Sequence, residues 1–187
     1  ISLGAGVQST TMALMAAHGE IGPMPDCAIF ADTGWEPKAV YEHLKWLMSP
    51  NVLPFPVHIV GSKDLRENVL MSVNRSKGRF ASVPWFIQNP DQTAGVGRRQ
   101  CTKEYKIIPI AKKQREMLGY QPRQRIPLGA VECWIGISLD EIYRVKDARN
   151  GWQKNRWPLI EKKLHRHDCL QWLERQGYPV PPKSACI

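Results

Sequence analysis

The sequence predicts an α/β protein in which helices cover both faces of a mostly parallel sheet. Short continuous apolar runs, typical of strands buried on both faces, alternate with longer segments of helical pattern. The composition is globular, with 43% hydrophobic and 23% charged residues in a chain of 187. We expect a single domain over residues 1–187 and, because the chain opens inside a strand and stops soon after a proline-rich run, missing residues at both ends.

The first half of the chain supplies three strand–helix units. Gly4-Ala5-Gly6 is a tight turn after the first strand, and Pro37 suits a helix start, with Val40 and Leu44 on one helical face. Alternation at this spacing indicates right-handed crossovers between parallel strands. The predicted strands cover residues 1–3, 27–31 and 57–60, and the predicted helices cover residues 9–17, 37–47 and 63–73.

The second half is less regular. Residues 74–100 show no period and predict a long, mobile connection. The pattern then predicts a helix over 102–118, a strand over 131–137 and a last helix over 168–176, closed by Gly177. Parallel sheets bind ligands at the carboxyl ends of their strands. Candidate site residues should therefore lie at 4–10, 32–36, 61–64 and 136–141.

Charge and cysteine content limit the classes of function. The chain has 26 basic and 17 acidic residues, a net charge of +9, which favours an anionic partner such as a nucleotide or nucleic acid. An ordinary basic surface explains the charge equally well. The longest apolar runs are too short for a membrane span, and no signal segment opens the chain. Five widely spaced cysteines, an odd number, indicate a reducing compartment, so we expect a cytoplasmic protein without a membrane partner.

A glycine-rich turn joins the first strand to the first helix. Backbone N–H groups and the helix dipole make such a turn an anion site, and hydroxyls can add donors. It lacks the Gly-Lys-Ser/Thr of the Walker A loop and the third glycine of the dinucleotide fingerprint, and a purely structural turn remains an alternative. The candidate residues of this turn are Ser2, Gly4, Gly6, Gln8, Ser9 and Thr10.

Three further clusters carry candidate residues, and two of them come after predicted strands. Asp32-Thr33-Gly34 could hydrogen-bond a ribose or an adenine amino group, or could cap the helix that starts near Glu36. A cationic segment suits phosphate or sulfate, or is a solvated helix start. Its members are Arg98, Arg99, Lys103 and Lys106.

The last cluster follows the fourth predicted strand and begins at Gly136. Arg144 could reach a phosphate. Asp140 and Glu141 could hold Mg²⁺, pair with that arginine, or complement the dipole of a helix start.

These motifs in this order resemble the PP-loop (adenine nucleotide α-hydrolase-like) superfamily. The resemblance is greatest to the phosphoadenosine phosphosulfate (PAPS) reductase family, and within it to short reductase-like proteins of phages and prophages. The matching motifs are the glycine loop ending in Ser9, Asp32-Thr33-Gly34, Cys-x-x-x-x-Lys-x-x-Pro from Cys101, Gly-Ile-x-x-x-Glu-x-x-Arg from Gly136, Trp157-Pro158-Leu159-Ile160-Glu161 and Gly177-Tyr178-Pro179.

The resemblance implies a Rossmann-like three-layer sandwich with a sheet of about five strands. It implies an enzyme that binds an adenine nucleotide, with Ser2, Gly4, Gly6, Gln8, Ser9 and Thr10 around phosphate or sulfate, Asp32 and Gly34 beside the adenosine, and Arg98, Lys103, Lys106 and Arg144 around the anionic end. We take Ser9, Lys106 and Arg144 as the catalytic candidates. A thioredoxin-like or sulfur-donor protein is the implied protein partner.

Departures from the family leave two chemistries open. Gln8 stands where ATP-using members have Asp, which favours PAPS reduction, yet the reductases' Glu-Cys-Gly-(Ile/Leu)-His motif is absent. The alternative is ATP-dependent adenylation, with Mg²⁺, of an acceptor for sulfur transfer. An iron–sulfur cluster would draw on Cys101 and Cys186, but these residues hold no full ligand set. A nucleic-acid-modifying protein of sulfur metabolism and a non-catalytic nucleotide-binding relative are the other hypotheses.

Overall fold

The computed structural model describes residues 1–61, 64–73, 86–96 and 101–184. A π-helix (Thr102–Ile107) and a 3₁₀-helix (Leu139–Arg144) accompany the regular elements. In chain order these are β1 (Ser2–Leu3), α1 (Val7–Ala17), β2 (Ala28–Ala31), α2 (Lys38–Leu47), β3 (Val57–Val60), α3 (Leu65–Leu70), β4 (Phe86–Gln88), β5 (Ala94–Val96), α4 (Ile108–Met117), β6 (Val131–Trp134), β7 (Gln153–Arg156), α5 (Pro158–Glu161) and α6 (Arg166–Arg175).

The strands form parallel sheets, as predicted, but not one sheet of five strands. In the described part of the chain, β1, β2 and β3 make a three-stranded parallel sheet in that order. β6 and β7 make a separate parallel pair. A single parallel bridge, Ser2 to Ile135, links the two sheets. The prediction of about five strands is therefore wrong in this respect: β1 has only two residues, and its second edge makes one bridge rather than a ladder.

Helices pack against both faces of the three-stranded sheet. α1, α2 and α6 share a core with Leu3, Ala28 and Phe30. Side chains alternate along a strand, so Ile29 points the other way, towards α4, which contacts β2 and β3. Nine of the eleven residues of α1 are buried, so this helix is enclosed on all sides.

None of the helices in the described residues is both long enough and apolar enough to cross a membrane.

The sequence pattern did not predict strand β7 or the hairpin of β4 and β5. β7 reads Gln-Lys-Asn-Arg and has no apolar alternation, because in the part of the chain that the structure describes it pairs with β6 alone and stays partly solvated. Within the predicted irregular connection, β4 and β5 form an antiparallel hairpin whose turn is closed by hydrogen bonds from Thr93 to Asp91. The rest of residues 74–100 lies outside the described residues, as do Ser62 and Lys63 at the predicted start of α3.

The helix predicted over 102–118 is present but changes type. It begins as the π-helix and continues as α4 from Ile108. Pro109 explains the change, because it has no N–H to bond the carbonyl of Tyr105 in an α-helical ladder. The wider turn contains Lys106, which matters for the site below.

Candidate functional site

A pocket of about 290 Å³ opens at the carboxyl ends of β1, β2 and β6, the edge at which the sequence predicts binding. Its wall combines backbone from three connections with a few polar side chains and aliphatic residues. The lining consists of Ser2, Leu3, Gly4, Gly6, Gln8, Ser9, Phe30, Ala31, Lys106, Ile110, Ile135, Gly136, Ile137, Glu141, Arg144 and Ser184.

The loop between β1 and α1 is held closed by Ser9. The Oγ of Ser9 accepts a hydrogen bond from the Gly4 N–H at 3.2 Å and donates to the Gly6 carbonyl at 3.3 Å. Ala5 adopts a left-handed conformation with φ of 53°, which costs an L-residue about 1 kcal/mol. Gly6 is the N-cap of α1 and lines the pocket. The positive end of the α1 dipole therefore meets the pocket at a fixed loop.

Gly136 allows the connection after β6 to touch this loop. A Cβ at Gly136 would lie 2.8 Å from the Ser9 nitrogen, 2.9 Å from the Ser9 Cα and 3.1 Å from the Gln8 carbonyl carbon. These neighbours are backbone atoms and cannot rotate away. Only glycine fits here, and its presence brings two strand-end connections together around one pocket.

Lys106 supplies a positive charge to the pocket wall. Its Nζ lies 2.9 Å from Oε1 of Glu36, and the side chains are 35% and 1% exposed, respectively. The π-helix places Lys106 beside the carboxyl ends of β1 and β2, since both strands contribute to the same lining.

A second polar network crosses the pocket mouth. Nη1 of Arg144 donates to Glu141 at 2.6 Å, and the Gln8 amide donates to the other oxygen of Glu141 at 3.1 Å. Arg166 donates to the Gln8 carbonyl at 3.0 Å. A neighbouring cavity is lined by Arg144, Arg166 and Lys183 among others. The pocket mouth is therefore cationic. Glu141 connects Arg144 to Gln8, near the start of α1.

Asp32 directly follows β2, and its side chain stabilises the turn in which it lies. Its Oδ1 accepts hydrogen bonds from the Gly34 N–H and from Oη of Tyr41, both at 2.8 Å. Asp32 is buried. Burial and the hydrogen bond to Asp32 raise the pKa of Tyr41 to about 12, so the phenol keeps its proton and donates at neutral pH.

The structure brings most of the predicted site residues to one pocket. Ser2, Gly4, Gly6, Gln8, Ser9, Lys106 and Arg144 all line it. Thr10 does not: its hydroxyl is fully buried and lies 3.0 Å from Nε2 of His43 in the interior, so we withdraw Thr10 from the anion site. Lys103 is exposed on the π-helix, away from the lining.

Asp32 and Gly34 are also outside the pocket lining, although Ala31 is within it. Their hydrogen bonds stabilise the turn described above, and their predicted place beside an adenosine stays a prediction. Arg98 lies outside the described residues.

The cysteines lie away from the pocket in the part of the chain that the structure describes. Cys101 packs beside Tyr105, Leu65 and Val69. Cys27 is half-buried and Cys133 is buried, and burial raises the pKa of both thiols. Cys186 lies outside the described residues. Among the described residues, no group of three His, Cys, Asp or Glu side chains is arranged to hold a metal ion.

The sequence places Glu36 and Gly136 inside the candidate ranges 32–36 and 136–141 but gives neither a specific role, and it does not single out Arg166. In the structure Glu36 holds Lys106. Gly136 carried a usable signal, a glycine directly after a strand at the binding edge. Arg166 is 158 residues from Gln8 in the chain, and no local pattern could have joined them.

A cavity of about 360 Å³ lies at the opposite, amino-terminal edge of the sheet, between Cys27, Met117 and Val131. Among the described residues its lining contains Asp26 and Glu132 but no lysine or arginine side chain. This cavity therefore offers an anion no side-chain cation from its wall, and the glycine-loop pocket is the better candidate.

The fold defines a class of protein before any relative is considered: an α/β protein with parallel strands and a pocket at a glycine-rich strand–helix turn. Among solved structures, the chain is similar to PAPS reductase from Candida auris, determined as a phosphate complex, with a TM-score of 0.57 and 13% identity. The similarity covers 96% of this chain and 73% of that one, and at this identity it shows the fold. No protein-family model matches the sequence, and no curated protein matches it significantly.

Proposed function

We propose that this protein binds an adenine nucleotide through its phosphate or sulfate group in the glycine-loop pocket and acts as a PAPS-reductase-like enzyme. The observation that carries the proposal is the convergence of Gly6 at the α1 N-terminus, Lys106 and Arg144 on one pocket. Backbone donors and two cations in a partly enclosed site suit an oxyanion with several charges. The shared fold with a PAPS reductase supports the same substrate class.

The donor set of the pocket favours PAPS over ATP. ATP is bound with Mg²⁺, which prefers carboxylate oxygens. Among the described residues that line the pocket, Glu141 has the one carboxylate, and it is already paired with Arg144 and Gln8. PAPS needs no metal to bind, and its sulfate and phosphates fit a wall of amides and cations.

The residues of the pocket would stabilise the leaving group and would not themselves attack the sulfur of the substrate. In sulfonucleotide reduction a thiolate attacks the sulfur, and adenosine bisphosphate departs with the electron pair. Lys106 and Arg144, which line the pocket, would offset that negative charge. No cysteine lines the pocket among the described residues, so the thiol would come from a residue outside them or from a partner protein of thioredoxin type.

Calorimetric titration tests the proposal. We expect PAPS to bind at least about tenfold more tightly than Mg²⁺–ATP, and adenosine, which lacks the anionic group, to bind more weakly than either. The affinity for PAPS should fall as salt is raised, because the attraction is between charges. Preferential binding of ATP would redirect the assignment to adenylation, and binding of neither nucleotide would refute the proposal.

A nucleic-acid acceptor is the second candidate, and the exposed residues directly before the pocket residue Arg144 favour it. Tyr143 is 78% exposed and Ile142 53% exposed, directly before Arg144. An exposed aromatic side chain beside cations can stack on an unpaired base. The same calorimetry with a single-stranded oligonucleotide at low and high salt examines this candidate: steeply salt-dependent binding supports it, and no binding at low salt excludes it.

A further inference from the structure

Glu36 is a buried carboxylate directly beside the candidate pocket. Its side chain is 1% exposed, and its Oε1 lies 2.9 Å from the Lys106 ammonium. Separating two such charges would leave the carboxylate in a poorly solvated place, so each restricts where the other can be. The pairing joins residues 70 positions apart, from the turn after β2 and from the π-helix.

The contact with Glu36 restrains the Lys106 side chain but leaves some of its N–H donors available. An ammonium has three N–H donors, and the contact with Glu36 occupies one of them. Lys106 remains 35% exposed and lines the pocket. The same contact that restrains the side chain therefore leaves donors for a ligand.

Glu36 is itself fixed by a short relay of hydrogen bonds. The Glu36 N–H donates to Oη of Tyr41 at 3.4 Å, and that hydroxyl donates to Oδ1 of Asp32 at 2.8 Å. Asp32 also accepts from the Gly34 N–H. The Asp-Thr-Gly turn and Tyr41 thus set the backbone position from which the Glu36 side chain reaches Lys106.

We propose that Glu36 is a positioning residue that holds the Lys106 ammonium at the pocket wall, with Tyr41 and Asp32 fixing Glu36. The identity of the ligand rests on the proposed function, but the pairing does not. A long side chain that is ordered before the ligand arrives loses less conformational freedom on binding, an advantage of about threefold to tenfold in affinity.

Amine labelling tests the pairing without any nucleotide. An amine-reactive ester is applied, and the modification rate of Lys106 is read by peptide mass spectrometry against that of the exposed Lys162. We expect Glu36→Met to raise the rate roughly tenfold, because a hydrogen bond between charged groups is lost. Glu36→Gln, which keeps an acceptor, should fall between wild type and Glu36→Met.

Glu42→Met is the matched control, since Glu42 is 61% exposed and pairs with Lys38 at 3.6 Å on the surface of α2. It should leave the Lys106 rate unchanged. Tyr41→Phe removes only the relay hydroxyl and should raise the rate by a smaller factor, so the proposal stays testable if Glu36→Met does not fold. A Lys106 rate that is the same in the Glu36 and Tyr41 variants as in wild type overturns the proposal.

Nucleotide affinity supplies the second readout. If Glu36 only reduced the positive charge of the pocket, Glu36→Met would raise PAPS affinity; the proposal predicts a fall of about threefold to tenfold. In a Lys106→Met background, Glu36→Met should change the affinity less than about twofold. A rise in affinity, or an equal fall in both backgrounds, contradicts the proposal. If wild type binds no nucleotide, the proposed function fails, while the labelling result still decides the pairing.

Discussion

Gly6→Asp should abolish nucleotide binding, with an expected loss of more than about 100-fold in affinity. Gly6 lines the pocket at the N-terminus of α1, so a carboxylate there would face the anionic group of the ligand and offset the helix dipole. Two like charges about 5 Å apart near a protein surface repel by about 3 kcal/mol, which corresponds to this factor. Calorimetry with PAPS measures the loss.

Gly6→Ala separates charge from bulk at the same position. An alanine Cβ would lie 3.4 Å from the Cβ of Ser184, an ordinary van der Waals contact, and Gly6 has a φ of −97° that any residue can adopt. We expect Gly6→Ala to bind within about threefold of wild type. If Gly6→Asp retained wild-type affinity while staying folded, the ligand would not be bound at this loop.

Gly136→Ala should destabilise the fold by about 3 kcal/mol. The new Cβ would lie 2.8 Å from the Ser9 nitrogen and 2.9 Å from its Cα, so backbone must move to accept it. For a chain of 187 residues this lowers Tm by about 6–12 °C. Thermal unfolding followed by circular dichroism measures the change.

The control for this substitution is Gly22→Ala. A Cβ at Gly22 would meet no atom within 4 Å, so the expected change in the free energy of unfolding is within about 0.5 kcal/mol. A Gly136→Ala protein as stable as wild type would show that the connection after β6 does not pack on the glycine loop as described.

The alternation of strands and helices was predictable because the apolar residues that each element buries follow a local spacing in the sequence. β2 is four buried residues in a row, and Val40, Leu44 and Leu47 of α2 are buried on one face. β7 could not be found this way, because its polar residues gain their conformation from pairing with β6. The division into two sheets also depends on a non-local fact, the single bridge between Ser2 and Ile135.

The candidate site was predictable where one motif defines one strand end. The glycine loop and Arg144 fall on the pocket because parallel strands end at one edge, whereas Lys106 reaches it from the π-helix. The role of Asp32 was harder to predict, since its contacts with Gly34 and Tyr41 depend on the fold of the turn. Thr10 was misplaced because neighbouring helix positions point in different directions, and its side chain turns to His43.

Nuclear magnetic resonance titration tests the central claim, that the glycine-loop pocket holds the anionic group of an adenine nucleotide. PAPS is added to ¹⁵N-labelled protein, and the backbone amide shifts are followed. We predict that the largest changes occur at Gly6, Gln8 and Gly136, with none at Cys27 or Val131 at the opposite edge of the sheet. Changes centred on Cys27 and Val131, or no changes at saturating PAPS, would contradict the claim.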